Sequence, residues 1–88
     1  MYVIVAYDVS VERVNKVKSY LRTQLTWVQN SVFEGDLSKA RQMELLDKLN
    51  KIIDPKSDAI TIYSFPTKKS LSRLDLGVKK GDPEERVI

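Results

Sequence analysis

The 88-residue chain contains no cysteine and no histidine. Without thiols there is no disulfide framework, no thiolate zinc site and no Cys nucleophile. Without imidazoles there is no Ser-His-Asp triad, no His-ligated metal and no His general base. Three glycines and three prolines are the only strong chain breakers, and the glycines build neither a P-loop nor a dinucleotide fingerprint. No paired-carboxylate spacing and no aromatic RNA-binding signature is present. Long apolar runs are absent too. The N-terminus, Met1-Tyr2-Val3-Ile4-Val5-Ala6-Tyr7-Asp8, falls far short of the roughly 20 residues that span a bilayer, and it shows no basic leader or small-residue cleavage site. A cytoplasmic protein that does not enter membranes is expected. Its chemistry is confined to carboxylates, amines, guanidinium groups, hydroxyls and a hard metal ion held by oxygen.

Hydrophobic residues make up 42% of the chain and charged residues 31%, an ordinary balance for one soluble domain. Fifteen Lys and Arg against twelve Asp and Glu leave a net charge of +3. That excess suits a polyanionic partner without demanding one. A domain of this size buries roughly 60–65% of its unfolded surface, so a partner subunit would help to stabilise it.

The run Tyr2 to Tyr7, β-branched and aromatic, predicts a buried strand closed by Asp8. Ser10 is a candidate N-cap with Glu12 in the first turn, where the helix dipole favours it. Val11, Val14, Val17, Leu21 and Leu25 then recur at helical spacing, with Arg13, Lys16 and Arg22 elsewhere on the circumference. Trp27 to Phe33 is expected as a second strand, ended by a turn at Glu34-Gly35-Asp36. Ser38 caps a second amphipathic helix over about residues 38 to 53, marked by Met43, Leu45, Leu46, Leu49, Ile52 and Ile53 and stopped by Asp54-Pro55. Ala59 to Phe65 is the clearest strand, and Leu71, Leu74, Leu76 and Val78 suggest one more. Residues 1–80 form a single domain under this reading, and residues 81–88 a C-terminal tail.

Two β-α-β units in so short a chain point to an α+β fold, the ferredoxin-like βαββαβ sandwich, with two helices on one face of an antiparallel sheet. A monomer would place polar residues at alternate positions of its open sheet face. Val3, Ile4, Val5 and Ala6 are instead apolar in succession, so both faces of the first strand need cover. A second copy packed sheet to sheet, a homodimer, supplies it; the alternative is a C-terminal segment folded back over its own sheet.

Asp8 is the residue singled out for chemistry. One carboxylate is a poor Mg²⁺ site, but a two-fold dimer brings two near the axis, where they can hold one ion against a phosphodiester. The competing reading is that Asp8 braces the following helix. Arg13, Lys16, Lys18 and Arg22 make the most basic helix, able to seat a phosphate backbone or simply solvated. Tyr7, Trp27 and Phe33 can stack on bases or pack in the core.

Three segments carry a resemblance. Tyr7-Asp8-Val9 after an apolar strand, Trp27-Val28-Gln29-Asn30-Ser31-Val32-Phe33-Glu34-Gly35, and the late strand from Asp58 to Tyr63 look like CRISPR-associated protein two. Leu76-Gly77 and the short tail resemble the end of that family's chains, so the likeness runs over most of the sequence. It implies a ferredoxin-like homodimer of prokaryotic antiviral defence, described as a metal-dependent endonuclease on single-stranded RNA or double-stranded DNA. It also implies a role in spacer acquisition, bridging dimers of the CRISPR-associated integrase (protein one) and holding the incoming DNA. By resemblance, Asp8 is the catalytic, Mg²⁺-ligating carboxylate. Tyr7, Arg13, Lys16 and Phe33 are its nucleic-acid-binding neighbours, and residues 71–88 are the integrase-docking surface. Trp27 stands where some members have an arginine, a departure from the family pattern. A purely structural DNA-binding scaffold is the alternative function, and a small-molecule-sensing regulator a more distant one.

Overall fold

In the computed structural model, which describes residues 1–74, 76 and 77, the chain runs β1 (Tyr2–Asp8), α1 (Val11–Gln24), β2 (Thr26–Gln29), β3 (Val32–Asp36), α2 (Lys39–Ile52) and β4 (Ala59–Phe65), followed by one 3₁₀ turn at Lys68–Ser70. The sheet order is β2-β3-β1-β4, with every neighbouring pair antiparallel. This is the expected βαββαβ arrangement. The most apolar strand, β1, is central, and β4 lies at an edge.

Alternation along β1 sends Val3, Val5 and Tyr7 toward the helices. There they meet Val17 and Leu21 of α1, Leu45 and Leu49 of α2, Phe33 of β3, and Leu25 and Leu37 beside the strands. Both helices therefore cover one sheet face. Extended backbone at Ser10 and Ser38 precedes them, and the Ser38 hydroxyl accepts from the Arg41 N–H at 3.2 Å, satisfying one orphan donor. The α2 helix ends at Ile52, ahead of Asp54-Pro55. The apolar faces are narrower than the spacing suggested. Val11 is 81% exposed, and Met43 and Leu46 point outward while Leu45 and Leu49 carry the α2 contact.

The expectation of one strand over Trp27 to Phe33 is corrected: that stretch is a hairpin. Asn30 takes a positive φ of 39° in a two-residue turn with Ser31, a conformation that Asn tolerates better than most residues. The Trp27 indole donates to the Asn30 carbonyl at 3.0 Å and secures the turn, beside a register irregularity between Trp27 and Gln29. Glu34-Gly35-Asp36 is accordingly strand rather than turn. Gly35 is needed there for close approach, because a Cβ at that position would lie 3.1 Å from Leu25 Cδ2. Residues 71–74, 76 and 77 belong to no strand. The rest of the proposed last strand and the 81–88 tail lie outside the described residues.

Candidate functional site

Tyr2, Ile4, Ala6 and Asp8 make the outward row of β1, on the sheet face opposite the helices. Asp8 is the polar end of this apolar row. It pairs in register with Ala59 of the edge strand, is exposed, and its side chain makes no hydrogen bond or ion pair among the described residues. The bracing role considered for Asp8 belongs to Asp58, whose side chain is fully buried. Asp58 accepts from the backbone N–H of Ser10 at 3.0 Å and of Asp54 at 2.8 Å. It also accepts from Arg13 Nε at 2.6 Å and Nη2 at 3.2 Å. One carboxylate thus ties the loop after β1 to the loop before β4, holding the two strand ends that flank Asp8. The Arg13 hydrogen bonds, reinforced by the two backbone donors, overcome burial and hold the Asp58 carboxyl well below the usual aspartate range. The same hydrogen bond raises Arg13.

The remaining site residues fall into three groups. Arg13, expected to bind a phosphate backbone, has its guanidinium engaged with Asp58, Ser10, Ser57 and Glu12; its observed work is the brace. Tyr7 and Phe33 are buried and pack on each other with ring centroids 6.1 Å apart. Buried rings offer no face to a base, so the expectation of stacking is corrected to core packing. Lys16 is exposed on α1, and its side chain makes no hydrogen bond or ion pair among the described residues.

The outward face is partly covered at its other end, near Tyr2. The Tyr2 hydroxyl donates to Glu34 Oε2 and Arg73 Nη1 donates to Glu34 Oε1. The Lys68 ammonium lies 5.7 Å from the centre of the Tyr2 ring. Burial, the hydrogen bond to Glu34 and its charge push the Tyr2 phenol up to about 12. Burial alone would raise the Glu34 carboxyl, but the hydrogen bonds from Tyr2 and Arg73 outweigh it and leave Glu34 lowered. The fold-back alternative therefore holds for this end. Toward Asp8, Ile4, Ala6 and Thr61 remain at least partly exposed, and Tyr63 is 53% exposed. This apolar strip leads to the free carboxylate.

Sequence reading missed Asp58 and Glu34, because all their partners but Asp54 stand 32 to 48 residues away in the chain. No group of three or more acidic, His or Cys side chains among the described residues is arranged to hold a metal ion. One chain contributes Asp8 alone to this face end.

A family model described as CRISPR associated protein Cas2 matches residues 1–73. A protein of Methanosarcina acetivorans, named a CRISPR-associated endoribonuclease Cas2, is 51% identical over 82 residues, covering 93% of this chain and 94% of its own. One of Methanothermobacter thermautotrophicus with the same name is 49% identical over 80 residues, 91% and 88% of the two chains. Among solved structures, a Cas2 crystal structure superposes with a TM-score of 0.86 at 50% identity, covering 100% of this chain and 98% of the other. Streptococcus pyogenes Cas2 at pH 6.5 gives a TM-score of 0.72 at 31% identity, covering 85% and 100%.

Proposed function

Because the chain belongs to the Cas2 family of CRISPR-associated proteins, we propose that it works as a homodimer, packed open face to open face, with endonuclease activity in CRISPR adaptation. The observation that carries this reading is Asp8: an exposed carboxylate without a partner among the described residues, ending an apolar strip that a second copy would cover. Two-fold packing of such a strip doubles every residue on it, so one carboxylate per chain becomes two per site. Mg²⁺ commonly takes one or two carboxylates and completes its octahedron with water and phosphate oxygens. The donors of a single chain therefore fit half a site. When bound, the ion would neutralise phosphodiester charge and provide an acidified water. The residues of the chain orient that site: Asp58 and Arg13 fix the loops on either side, and β1 sets the direction of Asp8.

The relatives' name makes the RNA phosphodiester the first substrate to test; duplex DNA is the second. In adaptation the dimer would also hold incoming DNA and bridge the CRISPR-associated integrase through residues 71–88, most of which lie outside the described residues. The scaffold reading keeps those binding roles and drops the cleavage. It is favoured by the scarcity of catalytic groups near Asp8, where no other carboxylate cluster is present among the described residues.

One substitution separates the readings. Asp8→Asn is tested for Mg²⁺-dependent cleavage of single-stranded RNA and duplex DNA, for nucleic-acid binding, and for dimerisation by sedimentation. Loss of cleavage with binding and dimerisation intact supports the enzyme. Cleavage equal to wild type removes Asp8 from the chemistry, and no cleavage by the wild type with binding retained leaves the scaffold.

A further inference from the structure

On the helical side of the molecule, α1 and α2 run antiparallel and leave an open cleft of about 500 Å³ between them. Tyr20 and Ile52 are both packed against the core, and with Asn15, Lys16, Ser19 and Lys48 they line a mostly apolar surface, on whose edge the two lysine side chains stand. Asp58 joins the start of α1 to the segment after α2 through Ser10 and Asp54. Lys16, early in α1, and Lys48, late in α2, therefore lie toward the end of the fold that carries Asp8.

Neither lysine makes a hydrogen bond or ion pair among the described residues. This distinguishes them from Arg13 and Arg73, which pair with carboxylates, and from Arg41, which donates to Gln24 Oε1 at 3.3 Å. Two ammonium groups on facing helices repel one another weakly in water and are both relieved by an anion placed between them. The Tyr20 phenol is raised by burial and by Glu44 and lowered by Arg41, so an acid and a base face it together. Glu12 and Glu44 stand one helical turn before Lys16 and Lys48, but neither lysine has an ion pair among the described residues, so both ammonium groups are open to an added anion.

A phosphate alone would satisfy the lysines and leave the apolar surface wet. A nucleotide satisfies both, with its phosphate at the ammonium groups and its base or sugar against Tyr20 and Ile52. The volume lies within the usual 300–1,000 Å³ range of ligand sites. In a duplex the bases are stacked and paired, and their faces cannot reach such a surface. We infer that the α1–α2 cleft is a nucleotide subsite for single-stranded nucleic acid, with Lys16 and Lys48 contacting phosphate and Tyr20 and Ile52 contacting the base or sugar. This rests on the reading that the chain handles nucleic acid, and it adds a contact surface remote from the sheet-to-sheet interface.

Amide and side-chain NMR shifts of the full chain, titrated with adenosine 5′-monophosphate and separately with inorganic phosphate, test the cleft without cleavage. Saturable shifts at Lys16, Ser19, Tyr20, Lys48 and Ile52 with the nucleotide support the inference. The same shifts with phosphate alone reduce the cleft to an anion site and overturn it, as do nucleotide shifts clustered elsewhere or none at all. In the second arm, Lys16→Glu/Lys48→Glu should weaken binding of a short single-stranded RNA by about tenfold or more. It should also reduce the slope of log affinity against log salt by about 1.4, two phosphates at roughly 0.7 each. Lys39→Glu, outside the cleft, should do less. Equal RNA affinity in the double variant overturns the cleft while leaving nucleic-acid binding by the protein intact. A wild type that takes the nucleotide in the cleft but binds no RNA or DNA overturns the proposed function instead.

Discussion

Arg73→Met leaves the Glu34 carboxylate, whose side chain is 7% exposed, with the Tyr2 hydroxyl as its remaining partner. Removing one member of a fully buried ion pair costs about 3–5 kcal/mol. Arg73 is itself 31% exposed, so water can replace part of what it gives, and the Tyr2 hydrogen bond survives. The expected loss is about 1.5–3 kcal/mol at neutral pH, the range for one hydrogen bond to a charged group. For a domain of this size each kcal/mol lowers the Tm by roughly 4–8 °C. The pH dependence carries the sharper test. In the wild type Glu34 is lowered, so its contribution is present above the normal glutamate range and is lost as pH falls through the folded-state value. Without Arg73, only the Tyr2 hydrogen bond and the Lys68 charge are left to oppose burial, so the variant gains less from ionising Glu34 as pH rises through that range. The gap between the proteins should therefore open from about pH 4 to about pH 7. Urea unfolding followed by the single tryptophan, Trp27, at fixed chain concentration measures it. Glu34→Gln in the Arg73→Met background should recover much of the loss, because no buried charge remains unpaired. A double variant as unstable as Arg73→Met, or a gap that does not change with pH, refutes the reasoning.

Leu21→Ala removes a fully buried side chain where α1 meets the sheet and should cost about 2–5 kcal/mol in urea unfolding; a loss under about 1 kcal/mol contradicts the packing described. Asp58→Asn should destabilise the protein at neutral pH by loosening Ser10, Asp54 and Arg13 together. Asp58 is lowered, so its contribution is kept above the ordinary aspartate range and lost as acid titrates the folded carboxylate; the variant and wild type should converge in strong acid, and a difference that persists there contradicts the brace. Asp8→Asn should not lower thermal stability, since its carboxylate is exposed and its side chain bonded to nothing among the described residues, and in a two-fold dimer the change removes a like-charge repulsion; a substantial fall in Tm would assign Asp8 a structural task.

Periodicity made β1, both helices and β4 legible in the sequence. Each has one dominant pattern, and serine or Asp-Pro punctuation marks the helix ends. The β2–β3 hairpin was hidden because its turn, Asn30-Ser31, carries no glycine, whereas Gly35 resembles a turn residue. Its role is to admit Leu25 against the strand, a tertiary contact that spacing does not reveal. The candidate site shows the same division. Asp8 stood out because it closes an apolar strand. Arg13 and Phe33 looked equally available for nucleic acid until packing assigned one to Asp58 and the other to the core. The pairing of Lys16 with Lys48 depends on how two helices lie side by side on the sheet, a relation between segments 32 residues apart by position (48 minus 16).

The most direct measurement is the stoichiometry of a divalent ion, with Mn²⁺ as a paramagnetic reporter for Mg²⁺, on wild type and Asp8→Asn of verified oligomeric state. Convergence of two first-strand carboxylates predicts one ion for every two chains, and no such binding once Asp8 is amidated. One ion per chain, or undiminished binding in the variant, would contradict it.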